Sequence, residues 1–282
     1  MSFLSDQKIK ELNIKANEIR QDIIKMLAEA GSGHTAGALG MTDIFTLFYF
    51  HILKHNPKDS FWPDRDILVL SNGHICPVLY ATFAHAGYFG LDELQTLRKF
   101  GSRLQGHPHR EFLKFSETSS GPLGSGLSQA VGMALADKID KKDKERFIYC
   151  FMSDGELDEG NSWEGMMLAG KNKLNNLIAV IDKNNIQIDG KTDDVMPLEI
   201  LADKFKSFNW NVLEVSGHDF KKLNEIVEEA KECKNKPTVI IAKTIPGKGI
   251  KKWENDYKWH GKAPSKKEAE EAIKELEISK PV

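Results

Sequence analysis

Residues 147–185 carry the pattern that most narrows the fold. An apolar run at 147–152 (FIYCFM) has the length of a buried strand and stops at Ser153-Asp154-Gly155. A helical segment follows over 163–173, and a second apolar run at 177–181 (LIAVI) ends at Asp182-Lys183-Asn184-Asn185. Strand, helix and strand at this spacing make one βαβ unit, whose strands run parallel and finish on the same edge of their sheet. Asp154 and Asn184 are thereby brought together just past two strand ends, where open α/β proteins bind ligands. A carboxylate and an amide oxygen are hard ligands suited to Mg²⁺, with Ca²⁺ as the other candidate, and they are too few for a complete cage. Water and phosphate oxygens usually complete such a site, and Gly155 allows a phosphate to come close to the backbone. Each dipeptide alone reads more readily as an ordinary turn. Their placement at both ends of one βαβ unit favours the ligand-binding reading.

The rest of the chain repeats the alternation. A helix is expected over 9–29, from apolar positions at Leu12, Ala16, Ile19, Ile23, Ile24 and Leu27, ending at Ala30-Gly31-Ser32-Gly33-His34. A second helix is expected over 41–53, with Thr42 as its cap, then a strand at 66–70 that ends at Ser71-Asn72-Gly73-His74. A short helix at 91–100 precedes a stretch, 101–124, rich in Gly, Ser, His and Pro and without periodicity. A loop of that length in a compact domain is usually functional or disordered. A helix at 126–138 leads into the βαβ unit, and strands at 211–215 and 238–242 flank a helix at 221–233. The tail at 265–276 is a charged amphipathic helix opening on the capping pattern Ser265-x-x-Glu268. The expected architecture is α/β and doubly wound: one domain over 1–282, with a mostly parallel sheet and helices on both faces. Residues 264–282 are expected to form a peripheral extension.

Composition excludes several classes of partner. With 40% hydrophobic and 28% charged residues and a net charge of −2, nothing points to a nucleic-acid or membrane surface. Cys76, Cys150 and Cys233 lack metal-type spacing, which suits a reducing compartment. The opening MSFLSDQKIKELNIK reads as a charged helix rather than a signal peptide, so a cytoplasmic protein is expected.

Four histidines sit at segment ends beside glycine: His34, His74, His107 in Gly106-His107-Pro108, and His260 in Trp259-His260-Gly261. Histidine gives and takes protons near neutral pH, which sugar carbonyl chemistry requires.

These fragments together resemble the transketolase family. The run 153–185 is similar to the thiamine diphosphate motif, which opens Gly-Asp-Gly and closes on Asn-Asn; Ser153 replaces the first glycine. Serine there requires a negative φ at the turn. Residues 20–40, ending Ser32-Gly33-His34-Thr35-Ala36-Gly37-Ala38-Leu39-Gly40, resemble the family's first signature, with Thr35 where proline is usual. Ser71-Asn72-Gly73-His74, Gly106-His107-Pro108, Gly121-Pro122-Leu123-Gly124-Ser125-Gly126 and Trp259-His260-Gly261 resemble later segments, in order and over nearly the whole chain.

The resemblance implies thiamine diphosphate as cofactor and a role for each matching residue. Asp154, the Asn184 side chain and the backbone oxygen of Ile186 would hold the metal. Gly155, Asn184, His74 and His260 would contact the diphosphate end, and Gly121, Pro122 and Leu123 the ring portion. His34, His74, His107 and His260 would line the substrate channel, and Glu159 would communicate between two cofactor sites, or else be a solvated loop charge. Gly37 and Pro246 stand where relatives offer a polar contact, for which Lys248 is a candidate substitute. The implied reaction is reversible transfer of a two-carbon ketol unit from a ketose phosphate to an aldose phosphate. The family's activating glutamate belongs to a pyrimidine-binding domain that would follow this region. A separate C-terminal subunit would supply it, most simply in an α2β2 assembly, with apolar residues of 44–52 and 163–168 offered either to that interface or to the core. The alternatives are a deoxyxylulose-phosphate synthase, a transketolase for an unusual sugar, and a non-catalytic interaction subunit. The pathway, pentose phosphate metabolism or a specialised sugar catabolism, stays open.

Overall fold

The apolar runs become strands of one sheet. The computed structural model describes residues 4–140 and 146–279. Its strands are β1 (Ile67–Leu70), β2 (Ile148–Ser153), β3 (Leu177–Lys183), the short β4 (Ile186–Gln187) and β5 (Gly190–Lys191), β6 (Asn211–Ser216) and β7 (Thr238–Lys243). Five of them form a sheet in the order β1-β2-β3-β7-β6, parallel at every pairing, while β4 and β5 form a separate antiparallel hairpin. The helices are α1 (Asp6–Ala30), α2 (Ala36–Leu47), α3 (Cys76–His85), α4 (Ser125–Ile139), α5 (Gly160–Asn172), α6 (Thr192–Val195), α7 (Leu201–Ser207), α8 (Phe220–Glu232) and α9 (Lys266–Ile278).

The central strands are apolar throughout because both faces are covered. Tyr149, Phe151, Ile178, Val180 and Ile240 point into a core shared with α1, α2, α3 and α8. Their neighbours Ile148, Cys150, Met152, Ala179 and Ile241 point into a second core shared with α4, α5 and α7. The doubly wound arrangement read from the sequence is the observed one.

Local signals set most boundaries. Ser5 caps α1 by accepting the Lys8 N–H, and Gly31 ends it in the left-handed region at φ 64°. Ser265 and Glu268 form the expected capping box of α9. This helix packs on α1, where the Asn17 amide donates to the Leu276 carbonyl at 3.0 Å.

Helix α2 departs from expectation. It starts at Ala36, so Thr42 is an interior residue whose hydroxyl donates to the Ala38 carbonyl at 2.9 Å, not a cap. Two glycines in its first turns serve close packing. A Cβ on Gly37 would lie 2.8 Å from Ile75, and one on Gly40 would lie 3.0 Å from the Ile245 carbonyl. Every residue of α2 is buried, and a π-helical turn, Phe48–Ile52, extends it. Of the two readings of 44–52, interface or core, the core one holds for this segment, because α2 is wedged among α1, α3 and α8. In α5, Met166 is buried while Met167 and Leu168 are exposed.

Two other segments differ. The 91–100 helix is only a 3₁₀ segment, Leu91–Thr96. The β4–β5 hairpin and the short α6 and α7 carry too few periodic residues to be read from sequence. Residues 101–124 contain neither helix nor strand, as expected.

Candidate active site

The sheet register brings the two ends of the βαβ unit together. Ser153 pairs with Asp182 across β2 and β3, and the Asp154 N–H donates to the Asp182 carbonyl at 3.1 Å. Ser153, the last residue of β2, is not among the positive-φ residues, so the turn accepts its Cβ without strain. The Asp154 carboxylate accepts the N–H groups of Gly155 (2.9 Å) and Asn185 (2.7 Å), each on its own oxygen. Asn184 Oδ1 accepts the Ile186 N–H at 3.0 Å, and its amide nitrogen donates to Asp182 Oδ2 at 2.8 Å. The other Asp182 oxygen accepts the Thr244 hydroxyl. Asp182 thus holds Asn184 with its oxygen turned away from the carboxylate that binds its nitrogen.

This floor is anionic and buried. Burial first, then the neighbouring Asp182 charge, pushes the Asp154 carboxyl up to about 7. Burial also pushes Asp182 up to about 6 and Glu156 up to about 7. None of the three has an ion-pair partner among the described residues.

Glu156, fully buried one turn past Asp154, joins three segments. Its Oε1 accepts the Gly124 N–H at 2.6 Å and the Ser71 hydroxyl, and its Oε2 accepts the Ser153 N–H at 3.3 Å. Ser71 Oγ in turn accepts the Gly126 N–H at 3.0 Å. Glycine is required at 124 and 126: a Cβ on Gly124 (φ 78°) would lie 1.9 Å from Asn161 Oδ1, and one on Gly126 would lie 2.4 Å from Ser71. Gly121 differs, since a Cβ there would meet nothing within 4 Å. The Gly121-Pro122-Leu123 stretch is therefore seated at its far end and open at its near end, with Pro122 exposed.

Three of the four singled-out histidines meet. Ring centroids are 4.9 Å apart for His34 and His74, 5.2 Å for His74 and His260, and 5.4 Å for His34 and His260. Each comes from a different segment: the α1–α2 turn, the end of β1, and the loop before α9. The Thr35 hydroxyl donates to the Lys262 carbonyl at 2.5 Å, tying the first loop to the last, so the threonine found in place of proline has a contact of its own. Burial, followed by the neighbouring imidazoles, lowers His34 to about 4 and His74 well below its ordinary value; burial lowers His260 as well. His107 is exposed at the rim, where its ring lies about 3.4 Å from a Cβ placed on Gly73, and partial burial and Arg98 lower it too.

The remaining sequence candidates lie around this cluster. A Cβ on Gly261 would be 3.7 Å from Ile188 and 3.8 Å from His34 Nε2, so the hairpin that follows Asn184 and Ile186 reaches the histidines. Glu159 is exposed at the start of α5 and is not brought to them. Lys248 Nζ lies 3.7 Å from Glu254, which engages the lysine offered as a substitute contact.

The residues present suit a diphosphate with a divalent cation. Two buried aspartates lack a compensating charge, and buried polar atoms lack partners at His34 Nδ1, Ser120 Oγ and both amide atoms of Asn72. Among the described residues no three His, Cys, Asp or Glu side chains cluster as metal ligands. A cation here would accordingly depend on Asp154, amide and carbonyl oxygens, and the ligand's own phosphates.

Known proteins place this geometry in a family. Residues 12–280 match the family model described as transketolase, thiamine diphosphate binding domain. The chain belongs to the transketolase family. It is 39% identical to the 6-deoxy-6-sulfo-D-fructose transketolase subunit of Clostridium sp. (strain MSTE9), across 97% of this chain and 98% of that one. It is 35% identical to an apulose-4-phosphate transketolase subunit of Phocaeicola vulgatus, across 95% of each. Against the transketolase of Homo sapiens the identity is 37%, covering 96% of this chain but 42% of that protein. The crystal structure of the Campylobacter jejuni transketolase superposes with a TM-score of 0.89 at 37% identity, covering 98% of this chain and 43% of that one. This transketolase-family chain thus matches subunits end to end and longer transketolases over less than half their length.

Sequence reasoning missed three of the site's charged residues. Asp182 entered only as part of a strand end and Glu156 drew no reading, because a buried carboxylate carries no periodic signal. Arg98 fell within the segment read as a short helix, yet its charge acts on both His34 and His107. Its left-handed backbone, φ 60°, was the one physical hint, and it is visible only in three dimensions.

Proposed function

We infer that this chain is the diphosphate-binding subunit of a two-subunit transketolase, transferring a two-carbon ketol unit between sugar phosphates. The observation that carries this is the convergence of His34, His74 and His260 beside the Asp154–Asn184 floor. The end-to-end match to two transketolase subunits supports the division into chains. Thiamine diphosphate, when bound, supplies the carbanion chemistry that makes and breaks carbon–carbon bonds next to a carbonyl.

Asp154, the Asn184 amide oxygen and the Ile186 carbonyl are assigned to a divalent cation, Mg²⁺ with Ca²⁺ as substitute. Gly155, Asn184, His74 and His260 are assigned to the diphosphate, and Gly121, Pro122 and Leu123 to the ring portion. Asn184 Oδ1 would keep the Ile186 N–H on one lone pair and offer the other to the cation, while Asp182 holds its nitrogen. His34, His74 and His260 stay neutral at pH 7 because burial lowers all three, so each can accept a proton from a sugar hydroxyl and, once it carries that proton, return it to a carbonyl oxygen. Protonating one ring opposes protonation of the other two about 5 Å away, which confines the cluster to one proton at a time. His107 is assigned to the channel mouth, and Glu159, exposed at the start of α5, to communication between two cofactor sites.

The partner we propose is a C-terminal subunit carrying the pyrimidine-binding domain, in an α2β2 complex with this chain in the cytoplasm. No helix among the described residues is long and apolar enough to cross a membrane. The donor is a ketose phosphate or a close analogue. An unusual sugar is the favoured reading over central pentose phosphates, since both relatives matched end to end are named for uncommon ketoses.

The test is a ketol-transfer assay with thiamine diphosphate, Mg²⁺ and a panel of ketose and aldose phosphates. It is run on this chain, on a candidate C-terminal subunit from the same source, and on the mixture. Activity in the mixture alone supports the two-chain site. Activity of this chain alone refutes it.

A further inference from the structure

We propose that Glu156 is the positioning residue of the cofactor cleft, holding the three segments that carry its contacts in one register through bonds to Ser71, Gly124 and Ser153. This inference deepens the preceding functional reading and rests on it for the word cofactor, though the device itself is a property of the free chain.

Helix α4 lacks a local cap. Its N-cap is Gly124, which has no side chain, and there is no acidic residue in its first turn. A helix start so built leaves backbone N–H groups and the positive end of the dipole without a local partner. Glu156 supplies the missing cap from another element, accepting the Gly124 N–H at 2.6 Å. The same oxygen accepts the Ser71 hydroxyl, and Ser71 Oγ takes the Gly126 N–H at 3.0 Å. One buried carboxylate and one hydroxyl thus satisfy two amides at the start of α4, while the other carboxylate oxygen reaches the Ser153 N–H at the end of β2.

Each bonded segment borders an assigned contact. Ser71 is three residues before His74, Gly124 directly follows Gly121-Pro122-Leu123, and Ser153 directly precedes Asp154. Space is as tight as the bonding: a Cβ on Gly124 would strike Asn161 and Ser162, and Ser162 itself donates to the Glu156 carbonyl at 3.2 Å. The carboxylate has no ion-pair partner among the described residues, so its placement depends on these donors alone. Three donors converging on a fully buried, unpaired carboxylate are more than fold stability alone calls for, since an apolar side chain would cap nothing here yet avoid the desolvation.

Two variants test this. In Glu156→Ala all three bonds are lost. Glu156→Gln keeps one oxygen for Ser71 and Gly124 and gives up the longest contact. Hydrogen exchange on the full free chain should rise about tenfold or more at Gly124, Gly126 and Ser153 in Glu156→Ala, while amides of β3 and β7 stay protected. In Glu156→Gln, Gly124 and Gly126 should stay within about threefold of wild type. In the two-subunit enzyme, Glu156→Ala should raise the half-saturating thiamine diphosphate concentration about tenfold or more, an effect larger than that on kcat, and Glu156→Gln should restore most of it. Unchanged exchange at Gly124 and Gly126, or a fall in kcat with half-saturation unmoved, overturns the proposal. Should Glu156→Ala fail to fold, Ser71→Ala decides: faster exchange at Gly126 supports the relay, and wild-type exchange there overturns it. A wild-type enzyme indifferent to thiamine diphosphate refutes the functional reading instead, leaving the exchange result to judge the positioning role.

Discussion

Replacing Asp154 with asparagine separates what the carboxylate does to the fold from what it does for a metal. In the free chain the carboxyl is pushed from 3.8 to about 7 by burial and by Asp182. A folded-state pKa raised above the unfolded value means the proton is bound more tightly in the native state. The site's contribution to stability is then fully present below about pH 4 and is lost as pH rises through about 7. Each pH unit in that window is worth about 1.4 kcal/mol, so wild type should lose about 2–3 kcal/mol from this site between pH 5 and 8. Asparagine has the same shape and no charge to bury. It keeps an acceptor for one of the two backbone donors, Gly155 or Asn185, and forfeits the other at about 1 kcal/mol. The variant should therefore be close to wild type at pH 5 and more stable than it at pH 8, with the gap widening by about 2–3 kcal/mol. Urea unfolding in EDTA at both pH values, followed by circular dichroism, measures this, because titrating groups other than the neighbouring Asp182 cancel in the difference. Adding Mg²⁺ with thiamine diphosphate should then stabilise wild type and leave Asp154→Asn unmoved. A gap that does not change with pH, or a variant less stable than wild type at pH 8, refutes the reasoning.

Other expectations follow from the same geometry. Nuclear magnetic resonance titration should find His34 neutral at pH 6 and charged only near pH 4; since its folded pKa is lowered, stability from this group is held above 6.5 and lost as pH falls toward 4. Gly124→Ala forces a side chain into the left-handed region against Asn161, and should lower unfolding free energy by about 1–3 kcal/mol in denaturant melts while weakening cofactor binding. Ser265→Ala removes half of the α9 capping box and should cost about 1 kcal/mol with turnover unaffected, which separates the peripheral helix from the site. Asp43→Ala leaves the Arg20 guanidinium buried without the partner it meets at 2.8 Å, and should destabilise by about 3–5 kcal/mol in the same melts.

The main elements were legible because each buries one recognisable face or end signal. The β2–α5–β3 unit could be read from two apolar runs, and the meeting of Asp154 with Asn184 from parallel pairing alone. The histidines could be listed from sequence, but only the fold showed that His34, His74 and His260 touch while His107 stays at the rim. Helix α2 was misplaced because periodicity vanishes when every side is buried. Glu156 and Asp182 were overlooked because charge in a sequence looks solvated until its burial is known. The three-way bonding of Glu156 in particular links residues far apart in the chain, and no local pattern encodes it.

The all-parallel sheet also sets an order of assembly. β2 and β3 are joined through α5, and β6 and β7 through α8, so each of these pairs can close over a modest crossover. β1 is an edge strand whose one partner, β2, lies beyond α3, the long loop and α4. Closing that excursion takes the largest loss of chain entropy in the sheet before any pairing rewards it, so β1 is expected to dock late. While β1 is undocked, the Asp154–Asn184 floor can form on β2 and β3, but His74, which follows β1, cannot join His34 and His260. Completion of the imidazole cluster is thus tied to the longest closure in the sheet, that of β1 on β2.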